Sequence, residues 1–141
     1  MPESAAAATR VAVELARATG DVLVVVTVWR ELRGDFGVPI DSVFPDVKDI
    51  ERDHALRIAE SVAGQAAAQG LKAEVVIRHG SPAREISALA RELRPRLIVI
   101  GSQGWGAVER AVFGSVSERV LHHAPCPVLV VPSEEALARR G

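Results

Sequence analysis

Apolar residues in this chain follow two kinds of pattern. Val22–Trp29, Ala73–Arg78, Leu97–Ile100 and Pro127–Val131 are short, nearly continuous runs rich in Val, Ile and Leu. They do not alternate with polar positions, as a strand with one wet face would. They read as parallel strands covered on both faces. Elsewhere the spacing is helical. Ser4–Thr19 is rich in Ala and carries Val11 and Leu15 four apart. Asp46–Gln69 places Ala55, Ile58, Ala59, Val62 and Ala66 on one stripe, with Gly70 as its C-terminal stop. Pro82–Leu93 starts with Ser81 as N-cap and Pro82 at the first helical position, and buries Ile86, Leu89 and Ala90. A short last helix starts at Ser115. Strands alternating with helices predict an α/β fold with a parallel sheet and right-handed crossovers.

The connection Arg30–Pro45 is long for such a fold and holds Gly34, Gly37, Pro39 and Pro45. It reads either as a functional lid or as a surface excursion. No internal repeat and no second domain are visible. We expect one domain over 1–132 and a polar tail over 133–141.

Composition narrows the function classes. The chain has 141 residues, 48% hydrophobic and 25% charged, as a soluble globular domain would. Lys plus Arg is 17 against 18 Asp plus Glu, a net charge of -1 without a basic tract, so nucleic acid is not an expected partner. Charges at Glu3, Arg10, Glu14 and Arg17 break up any signal-peptide core, and no run reaches the ~20 residues of a membrane span. A single cysteine, Cys126, adds to the expectation of a cytoplasmic protein.

The chemistry concentrates after the third run. Gly101-Ser102-Gln103-Gly104-Trp105-Gly106 follows a strand end, where ligands bind in open parallel sheets. Glycines there let backbone N–H groups approach an anion. Nine residues separate Gly104 from Gly114, and Ser115 opens the next helix with the Ser-x-x-Glu spacing of a capping box to Glu118. A helix N-terminus favours phosphate. Spacing alone leaves two readings open: a polyphosphate cradle, or a glycine loop before an ordinary capped helix. Neither G-x-x-x-x-G-K-[ST] nor G-x-G-x-x-G fits, since Glu109 stands where the latter needs glycine.

Gly101-x2-Gly104-x9-Gly114-Ser115 resembles the ATP-binding signature of the universal stress protein family. The likeness continues from Val116 to Val131 and includes Gly80-Ser81-Pro82-Ala83 and Thr27-Val28-Trp29. The resemblance implies a doubly wound parallel sheet of order 3-2-1-4-5 with helices on both faces. It implies that Gly101, Ser102, Gln103, Gly104, Gly114, Ser115, Val116 and Ser117 surround the triphosphate and ribose, and that Val28 and Ile100 line the adenine pocket. It further implies ATP, or AMP or ADP, as the ligand, Mg²⁺ arriving with the nucleotide, and a homodimer along Pro127–Val131.

The chain also departs from the family. Family members open with a strand ending in an Asp-Gly-Ser type turn, whose aspartate approaches the nucleotide and its metal. Met1-Pro2-Glu3-Ser4 resembles the residues just after that turn. The first strand is therefore expected to be missing through a late start or a truncation, which would open the middle of the sheet. Arg94-Pro95-Arg96 also departs, and reads as surface variation.

Other candidates carry less. His122 and His123 are adjacent on a helix, so they point about 100° apart and do not chelate one ion easily. Cys126 lies between two prolines with no activating partner, and reads as a small filler. Trp105, Arg119, Asp35, Asp41 and Asp46 offer contacts to phosphate, metal or partner without a spacing that singles one out. No catalytic constellation and no protein metal site is expected. The leading reading is an adenine-nucleotide-binding regulatory module of the stress response. The alternatives are a protein-interaction module of the same fold that binds no nucleotide, and a weak ATPase.

Overall fold

A computed structural model describes residues 3–30, 46–102 and 114–133. The long connection over 31–45, the segment 103–113 and the tail over 134–141 lie outside the described residues. The fold is α/β with parallel strands, in the order α1 (Glu3–Thr19), β1 (Leu23–Trp29), α2 (Asp46–Ala68), β2 (Ala73–His79), α3 (Pro82–Leu93), β3 (Ile98–Gly101), α4 (Ser115–His123) and β4 (Val128–Val131). Its strands form two parallel pairs, β1 with β2 and β3 with β4. These are the pairs that the expected order 3-2-1-4-5 leaves when its first strand is taken out. Contacts divide the chain into two compact units, Val22–Glu85 and Met1–Asp21 with Ile86–Gly141.

In Val22–Glu85, β1 and β2 run in register from Leu23↔Ala73 to Trp29↔His79. Helix α2 packs on both strands. It does so through Ala55, Ala59 and Ala66, all buried, whereas Ile58 and Val62 of the expected stripe are only half-buried. Small side chains let the helix axis come close to the strands. Gly70 ends α2 as expected: at φ 81° it takes the left-handed conformation that glycine tolerates best. The Gly70 N–H donates to Ala67 O and the Leu71 N–H to Ala66 O, the Schellman arrangement. At the carboxyl end of the pair, the Gly80 N–H donates to Trp29 O at 3.0 Å, and the Trp29 and His79 rings lie 4.1 Å apart. Ser81 O accepts from the Glu85 N–H at 2.9 Å, which puts Ser81 at the N-cap of α3 and Pro82 at its first position.

In the other unit, β3 and β4 run in register from Ile98↔Val128 to Gly101↔Val131. Helix α1 packs on both strands. Ala7, Ala8 and Val131 form the core there, with Val11 and Val99 packed against it. The expected Val11–Leu15 pair is only half right. Leu15 is 37% exposed, and the buried positions are Ala7, Ala8, Val13 and Ala16. Helix α3 buries Leu89 and Ala90 as expected, together with Ala83 and Ser87, whereas the expected Ile86 is only half-buried. The Ser87 hydroxyl is buried without a hydrogen-bond partner among the described residues.

Arg96, read from the sequence as surface variation, has a defined partner. Its guanidinium donates to Asp21 through Nε at 2.7 Å and Nη2 at 3.4 Å, and ties the end of α1 to the start of β3. The Arg96 hydrogen bond, with a lesser one from Thr19, holds the Asp21 carboxyl below the usual carboxylate range. A lowered folded value means that the pair's contribution is complete above about pH 4 and is lost as pH falls through that value. Arg96 is exposed and Asp21 half-buried, so the pair stays open to solvent and its effect on stability is small. In an NMR titration, Asp21 is expected to titrate below an ordinary aspartate and to return to the ordinary range in Arg96→Ala. An unchanged midpoint in the variant would refute the pairing.

Candidate functional site

The end of β3 and the start of α4 come together through backbone bonds. Gly101 is the last residue of β3, opposite Val131 of β4. The Ser102 N–H continues that ladder by donating to Val131 O at 2.9 Å. The Ser102 carbonyl then accepts from the Gly114 N–H, so the two ends of the segment 103–113 are bonded directly to each other. A third bond comes from a side chain: the Ser117 hydroxyl donates to Gly101 O at 2.7 Å. Ser102 and Ser117 are each only 2% exposed.

The expected Ser115–Glu118 capping box is not formed among the described residues. Gly114 is the N-cap of α4, with φ -71° and ψ 161°, and no side chain caps the helix. Ser115 is the first residue inside the helix and is exposed. The first intrahelical bond runs from the Glu118 N–H to Gly114 O at 3.1 Å. The N–H groups of Ser115, Val116 and Ser117 therefore have no acceptor among the described residues. Together with the helix dipole they form a partial positive end, aimed away from the helix body. The N–H groups of Ser102 and Gly114, counted from the sequence among phosphate donors, are instead committed to protein carbonyls.

Ile100 lies half-buried in β3, opposite Val130. Val28 belongs to the other unit, half-buried in β1 and opposite Arg78. Gln103 and Gly104, like Trp105, lie outside the described residues. At the far end of α4, His122 and His123 are both exposed, and Arg91 Nη2 donates to His123 O at 3.4 Å. Burial pushes the Cys126 thiol up, against a smaller lowering by a backbone hydrogen bond from Ile98. A thiol held in its protonated form is a poor nucleophile. The glycine spacing pointed to this strand end, but the Ser117–Gly101 bond had no sequence signal, because Ser117 lies 16 residues from its acceptor.

An anionic group fits these residues: an uncapped helix start offers it N–H donors and demands no charged side chain. Among the described residues, no group of three or more His, Cys, Asp or Glu could hold a metal ion. No described helix is long and apolar enough to cross a membrane.

Comparison with known proteins gives a consistent result. The family model described as universal stress protein family matches residues 1–132. Universal stress protein YxiE of Bacillus subtilis is 34% identical over 127 residues, covering 85% of this chain and 85% of that protein. Among solved structures, the universal stress protein UspA from Lactobacillus plantarum superposes with a TM-score of 0.79 at 27% identity, covering 91% of this chain and 89% of that one. A family member from Arabidopsis thaliana, solved with AMP bound, has a TM-score of 0.58 at 20% identity, covering 92% of this chain and 78% of that one.

Proposed function

The chain belongs to the universal stress protein family, and from that membership we propose that it binds an adenine nucleotide, ATP with Mg²⁺ in the leading case, as a regulatory module of the stress response. The observation that carries this reading is the start of α4. N–H groups of Ser115, Val116 and Ser117 stand without acceptors among the described residues, at the carboxyl end of a parallel strand. The phosphates bind there, and Gln103 and Gly104 complete the cradle. Ile100, beside Gly101 at the end of β3, lines the adenine. A fold relative with bound AMP adds support for the class of ligand. The same reading keeps 1–132 as one cytoplasmic domain and pairs two copies along β4, where Leu129 is 37% exposed.

Gly114 supplies the test. Its φ of -71° suits any residue, so the backbone does not require glycine there. Alanine fits the same conformation and places a methyl group beside the first-turn donors. Calorimetric titration of ATP with Mg²⁺ is expected to show binding by the wild type and an affinity at least about tenfold weaker, ~1.4 kcal/mol, for Gly114→Ala. Alanine caps less well than glycine, and the melting temperature should fall only slightly. No binding by the wild type would favour an interaction module of this fold. Binding unaffected by the substitution would place the site elsewhere.

A further inference from the structure

The resemblance to the family counts Ser117 among the residues around the nucleotide. The hydrogen bonds suggest a different part for its side chain. A serine hydroxyl has one hydrogen to donate. In this structure that hydrogen points at Gly101 O, 2.7 Å from Ser117 Oγ, and the residue is 2% exposed. A hydroxyl committed in this way turns only lone pairs toward other neighbours, and lone pairs repel a phosphate oxygen. Its backbone N–H, by contrast, remains a donor at the helix start.

We propose that Ser117 is a positioning residue: its hydroxyl holds the Gly101 peptide and sets the spacing between the end of β3 and the first turn of α4. The proposal rests on the nucleotide reading for its functional meaning. The geometry behind it stands without a ligand. Gly101 and Ser102 are held from three sides. Ser102 N–H bonds to β4 through Val131 O, Ser102 O accepts from Gly114 at the helix N-cap, and Gly101 O accepts from Ser117 in the first turn. The two backbone bonds fix Ser102, and among the described residues only the hydroxyl of Ser117 ties the preceding carbonyl to the helix itself. Removing it leaves a half-buried carbonyl without that donor and lets the helix start shift against the strand end. The α4 donors would then no longer be held at a fixed distance from the strand end.

A ligand and a positioning residue predict different behaviour in the nucleotide-free protein. Amide hydrogen exchange of Ser102 and Gly114 is measured by NMR without nucleotide, in wild type, Ser117→Ala and Ser117→Thr. Ser117→Ala is expected to speed exchange at both amides by at least about tenfold while the β1–β2 amides keep their protection. Ser117→Thr, which keeps the hydroxyl, is expected to restore slow exchange at both. In parallel, ATP affinity should fall about tenfold in Ser117→Ala and recover in Ser117→Thr. If Ser117→Ala exchanges like wild type at Ser102 and Gly114 yet loses affinity, the hydroxyl is a ligand and the proposal is overturned. Should Ser117→Ala not fold, Ser117→Cys serves: its weaker donor should give exchange faster than wild type, and wild-type exchange would again overturn the proposal. Failure of the nucleotide reading shows separately, as absence of ATP binding by the wild type, and leaves the exchange result to decide the role of Ser117.

Discussion

Val120→Asp is expected to abolish cooperative folding of the unit that carries the candidate site. Val120 lies in α4 and is 0% exposed. Losing its side chain from the core removes roughly 1.5–3 kcal/mol of burial energy. Placing an ionised carboxylate there adds several kcal/mol more, because the group must either desolvate its charge or take up a proton. Domains of this size are stable by about 5–15 kcal/mol, so the sum takes most of the margin. Urea denaturation should show no native baseline for this variant, or a midpoint near zero denaturant. Val120→Ala is the graded control, expected to cost about 1–3 kcal/mol. A Val120→Asp protein that unfolds within about 1 kcal/mol of wild type would show that this position is not packed as described.

The second large effect is expected in the other unit. Ala59 and Ala66 of α2 are both 0% exposed, and Ala55 is 4% exposed. They lie on a helix that packs on β1 and β2, so a longer side chain there has to be accommodated away from solvent. Ala59→Leu must push the helix outward or twist its new side chain off a favoured rotamer. Overpacking of this kind costs about 1–3 kcal/mol, occasionally more. Ala67→Leu on the exposed side of the same helix is the control. It should stay within about 0.5 kcal/mol of wild type, since surface changes away from special features have little effect. Thermal melts of the pair decide the matter: equal melting temperatures would contradict the close approach of α2 to the strands.

Much of the fold could be read in the chain because its strands are continuous apolar runs. β1, expected to begin at Val22, begins one residue later, and Val22 itself is 48% exposed. Gly70 and Pro82 marked helix ends through backbone geometry, which is a local property and so is written locally. What escaped was set by partners distant in sequence. Alanine carries little periodic signal, so the buried face of α1 fell on Ala7, Ala8 and Ala16 rather than on the larger Leu15. Arg96 was read as surface variation because Asp21 is 75 residues away. At the site, glycine spacing indicated the strand end and the helix start. Residue types alone did not reveal which N–H groups were already committed, as those of Ser102 and Gly114 are.

The bond between Ser102 and Gly114 has a consequence for chain entropy. It joins the two residues that flank positions 103–113, so the intervening chain starts and ends on the frame itself. Closure entropy grows only logarithmically with loop length, and even doubling the loop costs about 0.6 kcal/mol. Adding or removing a residue there should hardly change the melting temperature. The frame thus sets no ruler for the interval between Gly104 and Gly114. On the nucleotide reading proposed above, that interval answers to the ligand rather than to the frame.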